Sequence, residues 1–290
     1  MCERSIRPAD LAQIQLMLDW AAQEGWNPGL DDARLFQRAD PRGFFMAYEE
    51  QQAVAAISVV KHDEQHGFLG LYICHPEYRG RGHGWALWKA GMDYLAGKVV
   101  GLDGVVEQQA NYRKSGFELA YRNIRYAGAV AGVPSMARPR RMGGVTNECR
   151  SCTTDDWPTL IAMDKDVTGY ARQDLLTSWL KEDESRFTLV CVVNGVVRGF
   201  GTIRQCLEGF KVGPLIAEQP DQALALLQQL VVRAGAQEIV LDIPEPNDAA
   251  VKLAESVGLA PVFETARMYQ GMCPDYQLHS LFGVASFELG

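Results

Sequence analysis

The chain repeats itself, and the repeat limits its fold more than any other feature. At an offset of about 142 residues, Tyr112 falls on Ala254, Gly116 on Gly258 and Phe117 on Leu259. Two predicted hairpins coincide under the same shift to within about one residue. One joins strands at 44–48 and 53–60 through Glu49-Glu50-Gln51-Gln52, and the other joins 187–193 and 196–204 through Asn194-Gly195. One duplicated unit explains this better than one large mixed domain, and 290 residues are enough for two units. The expected division is 1–130, a linker at 131–147, and 148–290 ending in a C-terminal strand.

Each unit reads as alternating elements. Leu11, Ile14, Leu18 and Ala21 predict a helix over 8–24, with Pro8 in its first turn and Trp26-Asn27-Pro28-Gly29 turning the chain. A strand at 68–74 stops at His75-Pro76. A helix at 84–95, a strand at 99–102, a short helix at 108–115 and a strand at 120–126 follow. The second half predicts a helix from Trp157, the hairpin, a strand at 211–215, helix 220–234, strand 239–243 and helix 248–257. The tail 281–287 alternates as a strand and is apolar enough to pair with a sheet. The predicted class is α/β (α+β): two tandem units, each a mixed, mostly antiparallel sheet flanked by helices.

Chemistry concentrates where strand 68–74 hands over to the next helix, at Arg79-Gly80-Arg81-Gly82-His83-Gly84. Successive amides at a helix N-terminus point at one spot, and the helix dipole favours an anion there. Glycines admit a diphosphate close to the backbone, and arginines add charge-assisted hydrogen bonds. Two cofactor classes compete. A dinucleotide fingerprint is met by Gly80 and Gly82, with Asp103 downstream as the acid, but Trp85 stands where its third glycine belongs. The antiparallel hairpin upstream also conflicts with its parallel repeat. The other class is coenzyme A.

The chain resembles the GNAT superfamily of N-acetyltransferases over about residues 4–127, and more faintly over 149–270. The family's loop, [Q/R]-x-x-G-x-[G/A], is matched by Arg79, Gly82 and Gly84. The strand end Cys74-His75-Pro76-Glu77-Tyr78 before it and Tyr112-x-x-x-Gly116-Phe117 after it strengthen the match. The resemblance implies acetyl-CoA as cofactor and acetyl transfer to a small-molecule amine by direct attack. A non-catalytic acyl-CoA sensor and a protein-lysine acetyltransferase are the rivals. It implies that residues Gly80, Arg81, Gly82, His83 and Gly84 hold the pyrophosphate with Arg79 at the rim, and that Tyr72, Ile73 and Cys74 pair with the pantetheine arm. It makes Tyr112 the general acid, and places Trp26 and Asn27 beside the acceptor. His83 reads either as a loop residue or as a catalytic imidazole, and His75 as structural. The family's asparagine, seven residues before the tyrosine, is Val105 here, in a turn formed by Asp103-Gly104-Val105. No base is identifiable; Glu107, Asp103 and Glu77 are merely nearby.

At the loop position the second unit has Gly213-Pro214-Leu215-Ile216-Ala217-Glu218-Gln219-Pro220. Two prolines remove amide donors, and Glu218 repels phosphate. Ala254 replaces the tyrosine, while Asn247 occupies the family's asparagine position. This unit is therefore expected to bind coenzyme A poorly and to support or wall the first site.

The net charge of −8 argues against nucleic-acid binding and suits a cationic or neutral substrate better than an anionic one. No apolar run reaches the ~20 residues of a membrane span. With no secretory segment read at the N-terminus, a cytoplasmic protein is expected. The seven scattered cysteines are expected to be reduced thiols. The lone Cys149-Arg150-Ser151-Cys152 lacks the second pair a structural zinc needs, so no metal is expected. Nothing in the sequence reads on oligomeric state.

Overall fold

The computed structural model describes residues 3–130, 141–142, 145–146 and 148–290. The expected linker, 131–147, lies outside them, apart from two short strands that pair with one another, Arg141–Met142 (β7) and Val145–Thr146 (β8).

The first unit runs β1 (Arg4–Pro8), α1 (Leu11–Gln23), α2 (Asp32–Ala39), β2 (Phe44–Glu49), β3 (Gln52–Lys61), β4 (His66–Cys74), α3 (His83–Tyr94), β5 (Val99–Val105), α4 (Gln109–Lys114) and β6 (Glu118–Ala129). Pro8 ends an edge strand rather than opening the helix, which suits a residue with no N–H. Asp10 caps α1 instead: it accepts from Gln13 N (2.9 Å), and the Gln13 side chain accepts from Asp10 N (2.8 Å). Helix α2 was not expected, because eight residues are too few for its periodicity to stand out.

The second unit runs β9 (Glu148–Ser151), α5 (Trp157–Thr168), α6 (Gln173–Trp179), β10 (Arg186–Val193), β11 (Val196–Gln205), β12 (Phe210–Ala217), α7 (Pro220–Ala234), β13 (Glu238–Pro244), α8 (Asp248–Ser256), β14 (Ala260–Gln270) and β15 (Leu281–Gly283). The residues read as its loop from Gly213 are strand through Ala217. Gly116 and Gly258, matched by the repeat, both turn through the left-handed region (φ +86° and +87°).

Both units share one sheet, in the order β1-β2-β3-β4-β5-β14-β6-β13-β12-β11-β10-β9. Strands β6 and β14 are exchanged between the units. β14 pairs with β5 of the first unit, β6 pairs with β13 of the second, and β6 and β14 pair with each other. Asn123 lies opposite Thr265, its own counterpart in the repeat, so the pseudo-twofold axis passes between them. Each exchanged strand carries an arginine in register with an aspartate of the other unit. Arg125 binds Asp242 through Nε (2.7 Å) and Nη2 (2.9 Å). Arg267 binds Asp103 through Nε (2.9 Å) and Nη2 (2.6 Å).

On one face of the sheet, α1, α2, α5 and α6 share a single apolar cluster that includes Phe36 and Trp179. On the other face α3 packs in the first unit and α7 in the second, through Leu87 and Trp88 and through Leu226 and Leu230. The tail bridges the units. β15 adds to β12, and residues 284–290 run buried back to the first unit. There His62 Nε2–H donates to Leu289 O (2.7 Å) and Ser58 Oγ to Glu288 O (3.4 Å), while Arg172 Nη1 of the second unit donates to Gly290 O.

Two tests follow from this architecture. Arg267→Ala strands a buried carboxylate and is expected to cost ~3–5 kcal/mol in denaturant unfolding. The double replacement Asp103→Leu with Arg267→Met is expected to cost less than that single change, because neither charge remains buried. Burial and Arg172 push His62 down to about 4, so the folded state binds its proton less readily than the unfolded one. The stability this gives is complete above the ordinary histidine value of about 6.5 and is lost as pH falls through about 4. Hydrogen exchange of the amides of residues 284–290 should quicken over that window in the wild type and not in His62→Gln.

Candidate active site

β4 and β5 are parallel partners only from His66/Val99 to Leu69/Leu102. Beyond that point β4 leaves register: its pairing with β3 slips between Ala56 and Ser58, and Leu71 takes a positive φ of 43°. The strands splay, and a cavity of about 350 Å³ opens between them. Tyr72, Ile73, Cys74 and Arg79 line it with Tyr112 and Val105 on the first-unit side, and Trp26 closes one wall. Phe263 and Thr265 of β14, and Phe287 and Glu288 of the tail, form the opposite wall.

At the mouth, a short turn from Pro76 leads into the glycine loop. Gly80 (φ +78°) and Gly82 (φ +87°) adopt conformations that a side chain would strain, and a Cβ on either would meet nothing within 4 Å. Gly82 begins α3 with no side-chain cap. Among the described residues nothing accepts from the amides of Gly80, Arg81, Gly82 or His83, so four donors and the positive helix end face outward. The arrangement fits a pyrophosphate. Arg79 is braced by Cys74 O (Nε, 2.9 Å) and Glu24 (Nη2, 2.6 Å). Arg81 lies over the Tyr78 ring. His83 is buried and bonded to Glu49 Oε2 (2.6 Å), outside the cavity lining. Gly84 packs beneath Tyr72, where a Cβ would come 2.9 Å from the hydroxyl.

Tyr112 stacks on Trp88, with ring centroids 5.8 Å apart. The ring fills the space a Cβ on Gly104 would need, so that glycine sets its position. Residues 103–105 are the end of β5 rather than the turn expected from sequence, and Val105 pairs with Thr265. Burial pushes the Tyr112 phenol up to about 12, and Tyr72 equally, so both hold their protons at neutral pH.

Asn27 is not in the lining. Its amide donates to Glu208 O (2.8 Å) and accepts from Glu208 N (3.0 Å), latching the turn onto the second unit. Trp26 O accepts from Lys211 Nζ (2.9 Å) and Arg125 Nη1 (3.2 Å). Sequence reasoning missed Phe263, Thr265, Phe287 and Glu288, and the apolar tail was the available signal.

The second unit's corresponding gap is filled. β12 pairs with β13 only over Phe210–Val212, after which β15 lies along it, and Gly213 makes room for Val284 O. Its helix α7 is capped by its own chain, with Gln219 and Gln222 reciprocally bonded. Asn247 caps α8 and donates to Leu278 O (2.8 Å) and Leu281 O (2.9 Å), anchoring the approach to the tail.

Comparison with known proteins gives two family matches. Residues 11–117 match the acetyltransferase (GNAT) family, and residues 160–283 match an acetyltransferase (GNAT) domain. The chain is 30% identical to the holothin acyltransferase of Pseudoalteromonas sp. (strain SANK 73390), over 98% of its own length and 94% of the relative's. A putative acetyltransferase from Pyrococcus horikoshii has a similar structure (TM-score 0.78, 22% identity, 99% of this chain and 96% of that one). So does a tandem GNAT protein from the clavulanic acid biosynthesis pathway (TM-score 0.65, 11% identity, 92% and 98%).

The burial of Tyr112 is testable without a ligand. In ultraviolet titration, the difference between wild type and Tyr112→Phe should show no ionisation through the ordinary tyrosine range of about 10. A midpoint there would mean that the phenol is exposed.

Proposed function

The chain belongs to the GNAT acetyltransferase family, and we propose that it transfers an acetyl group from acetyl-CoA to the amine of a small molecule. The observation that carries this reading is continuity. An uncapped helix with four amides unpartnered among the described residues opens onto splayed strands, and these lead to a protonated tyrosine. The amides of residues 80–83, with Arg79 and Arg81, would hold the diphosphate. The unpaired edge of β4 from Tyr72 to Cys74 would take the amide groups of the pantetheine arm. Acetyl-CoA, when bound, supplies the acyl group already activated as a thioester.

Tyr112 has its proton at Oη, and burial keeps it there until about pH 12. It therefore serves as a donor to the departing sulfur and not as the group that first deprotonates the amine. Trp88 and Gly104 fix its ring, so the donor is preorganised. The wall built from β14 and the tail narrows the cavity to about 350 Å³, which favours a small-molecule acceptor over a lysine on a folded protein. One site per chain is proposed, because β15 lies where the second unit's arm would bind.

Calorimetric titration is expected to give one acetyl-CoA per chain, and none for Gly82→Trp, whose side chain fills the cradle. A second equivalent would overturn the reading of β15. Tyr112→Phe is expected to lower kcat by about 10²-fold with acetyl-CoA affinity unchanged. Free thiol release reads turnover, with holothin, named in the relative, as the first acceptor to try. Unchanged turnover would remove Tyr112 from the mechanism.

A further inference from the structure

We propose that Glu288, delivered by the tail, receives the ammonium group of the acceptor and takes its proton, and that the acceptor is a small primary amine on an apolar, preferably aromatic body. This rests on the reading of the cavity as an acyl-transfer site.

Three carboxylates line the cavity, and two are occupied. Glu24 accepts from Arg79 (2.6 Å). Asp103 is bound by both arms of Arg267 and by Asn123 Nδ2 (2.8 Å). Glu288 is different. It is 5% exposed, and the only hydrogen bond to its carboxylate among the described residues is from Ser286 Oγ to Oε2 (2.6 Å). No described cation lies within ion-pair distance of it.

Three buried cations, Arg125, Lys211 and Arg204, act on Glu288 through space, and none of them forms an ion pair or hydrogen bond with its carboxylate among the described residues. Arg125 gives Nε and Nη2 to Asp242 and Nη1 to Trp26 O. Lys211 gives Nζ to the same carbonyl. Arg204 donates to Ala285 O (3.0 Å) and faces Asp32 at 3.3 Å. A buried carboxylate without a direct counter-ion is costly, and an ammonium ligand offsets that cost.

Its placement suits the role. The Glu288 backbone packs on Gly70, where β4 goes out of register, so the carboxylate enters the same cavity as Tyr112. Ser286 Oγ also accepts from the amides of Glu288 (3.0 Å) and Leu289 (3.2 Å), so the turn that presents the carboxylate is itself held. Trp26, Phe263, Phe287 and Leu71 supply an apolar surround for the rest of the acceptor.

The step balances. Glu288 takes one proton from the ammonium, and the freed lone pair forms the N–C bond as the thioester C–S bond breaks with its electron pair left on sulfur. Tyr112 protonates that sulfur and is reprotonated by the second nitrogen proton. Glu288 then releases its proton to solvent, so one proton is released per turnover.

The test uses the intact chain with coenzyme A bound and phenethylamine as probe, read by calorimetry, followed by acetyl-CoA turnover with the same amine. Wild type is expected to bind phenethylamine, and Glu288→Gln at least 10-fold more weakly. Coenzyme A affinity should stay within about 2-fold, and kcat should fall by 10²-fold or more. Glu288→Asp should recover part of both losses. Equal phenethylamine affinity in wild type and Glu288→Gln, unimpaired turnover in that variant, or no phenethylamine binding to wild type overturns the proposal. If Glu288→Gln loses coenzyme A affinity through misfolding, Glu288→Asp against Glu288→Asn makes the same comparison of charge at constant shape. Failure of wild type to bind coenzyme A would instead overturn the reading on which the proposal rests.

Discussion

The two buried arginine–aspartate pairs fix the strand exchange that joins both units in one sheet. Exchanging the last strands places Arg125 opposite Asp242 and Arg267 opposite Asp103, each pair in register across a boundary between units. A one-residue slip of either strand would turn its arginine to the other face and leave an aspartate buried alone. Such a slip costs several kcal/mol per stranded charge, so the pairs specify register more than they add stability. Burial works to raise Asp242, but Arg125, Lys211 and Arg204 together hold it below the usual carboxylate range. Each unit is thereby completed by a strand from the other, and neither presents a finished sheet without its partner.

The tail extends this dependence to the site. Parallel strands that splay leave unpaired backbone groups in both units, and buried groups of that kind must find partners. In the second unit β15 supplies them, lying along β12 beyond the point where β13 departs. In the first unit the tail only closes the far wall, at Gly70 and Ser58, and leaves the edge from Tyr72 to Cys74 facing the cavity. One segment therefore fills one gap and shapes the other.

What the sequence showed and what it hid follow from the range of the forces involved. Helix 220–234 was legible to the residue, because Pro220 and Gly235 punctuate a long apolar period. The glycine loop was legible because its chemistry is local: the amides, the glycines and the helix end are neighbours in sequence. Helices α2 and α6 were not, being only two turns long. The strand exchange was invisible, since β6 and β14 have the same pattern whichever neighbour they pair with. Asn27 illustrates the limit. Its place in a turn beside the expected acceptor pocket suggested a lining residue, but the decisive partner, the Glu208 backbone, lies 181 residues away. Glu288 was hidden for the same reason, because a tail can be recognised as apolar without revealing where it docks.

The second unit therefore did not simply decay. Relative to the first unit, the second lacks the arginine–glycine array and the tyrosine. Here the same changes accompany new contacts. Gln219 and Gln222 close the helix end that Gly82 leaves open. The glycine at 213 admits the tail instead of a ligand. Asn247, in the position where the first unit has Val105, anchors the segment from which the tail departs. Gly213 and Asn247 thus hold the tail in the second unit, and the tail is the far wall of the first unit's cavity. The asymmetry between the two units is thus what shapes the far side of the first unit's cavity.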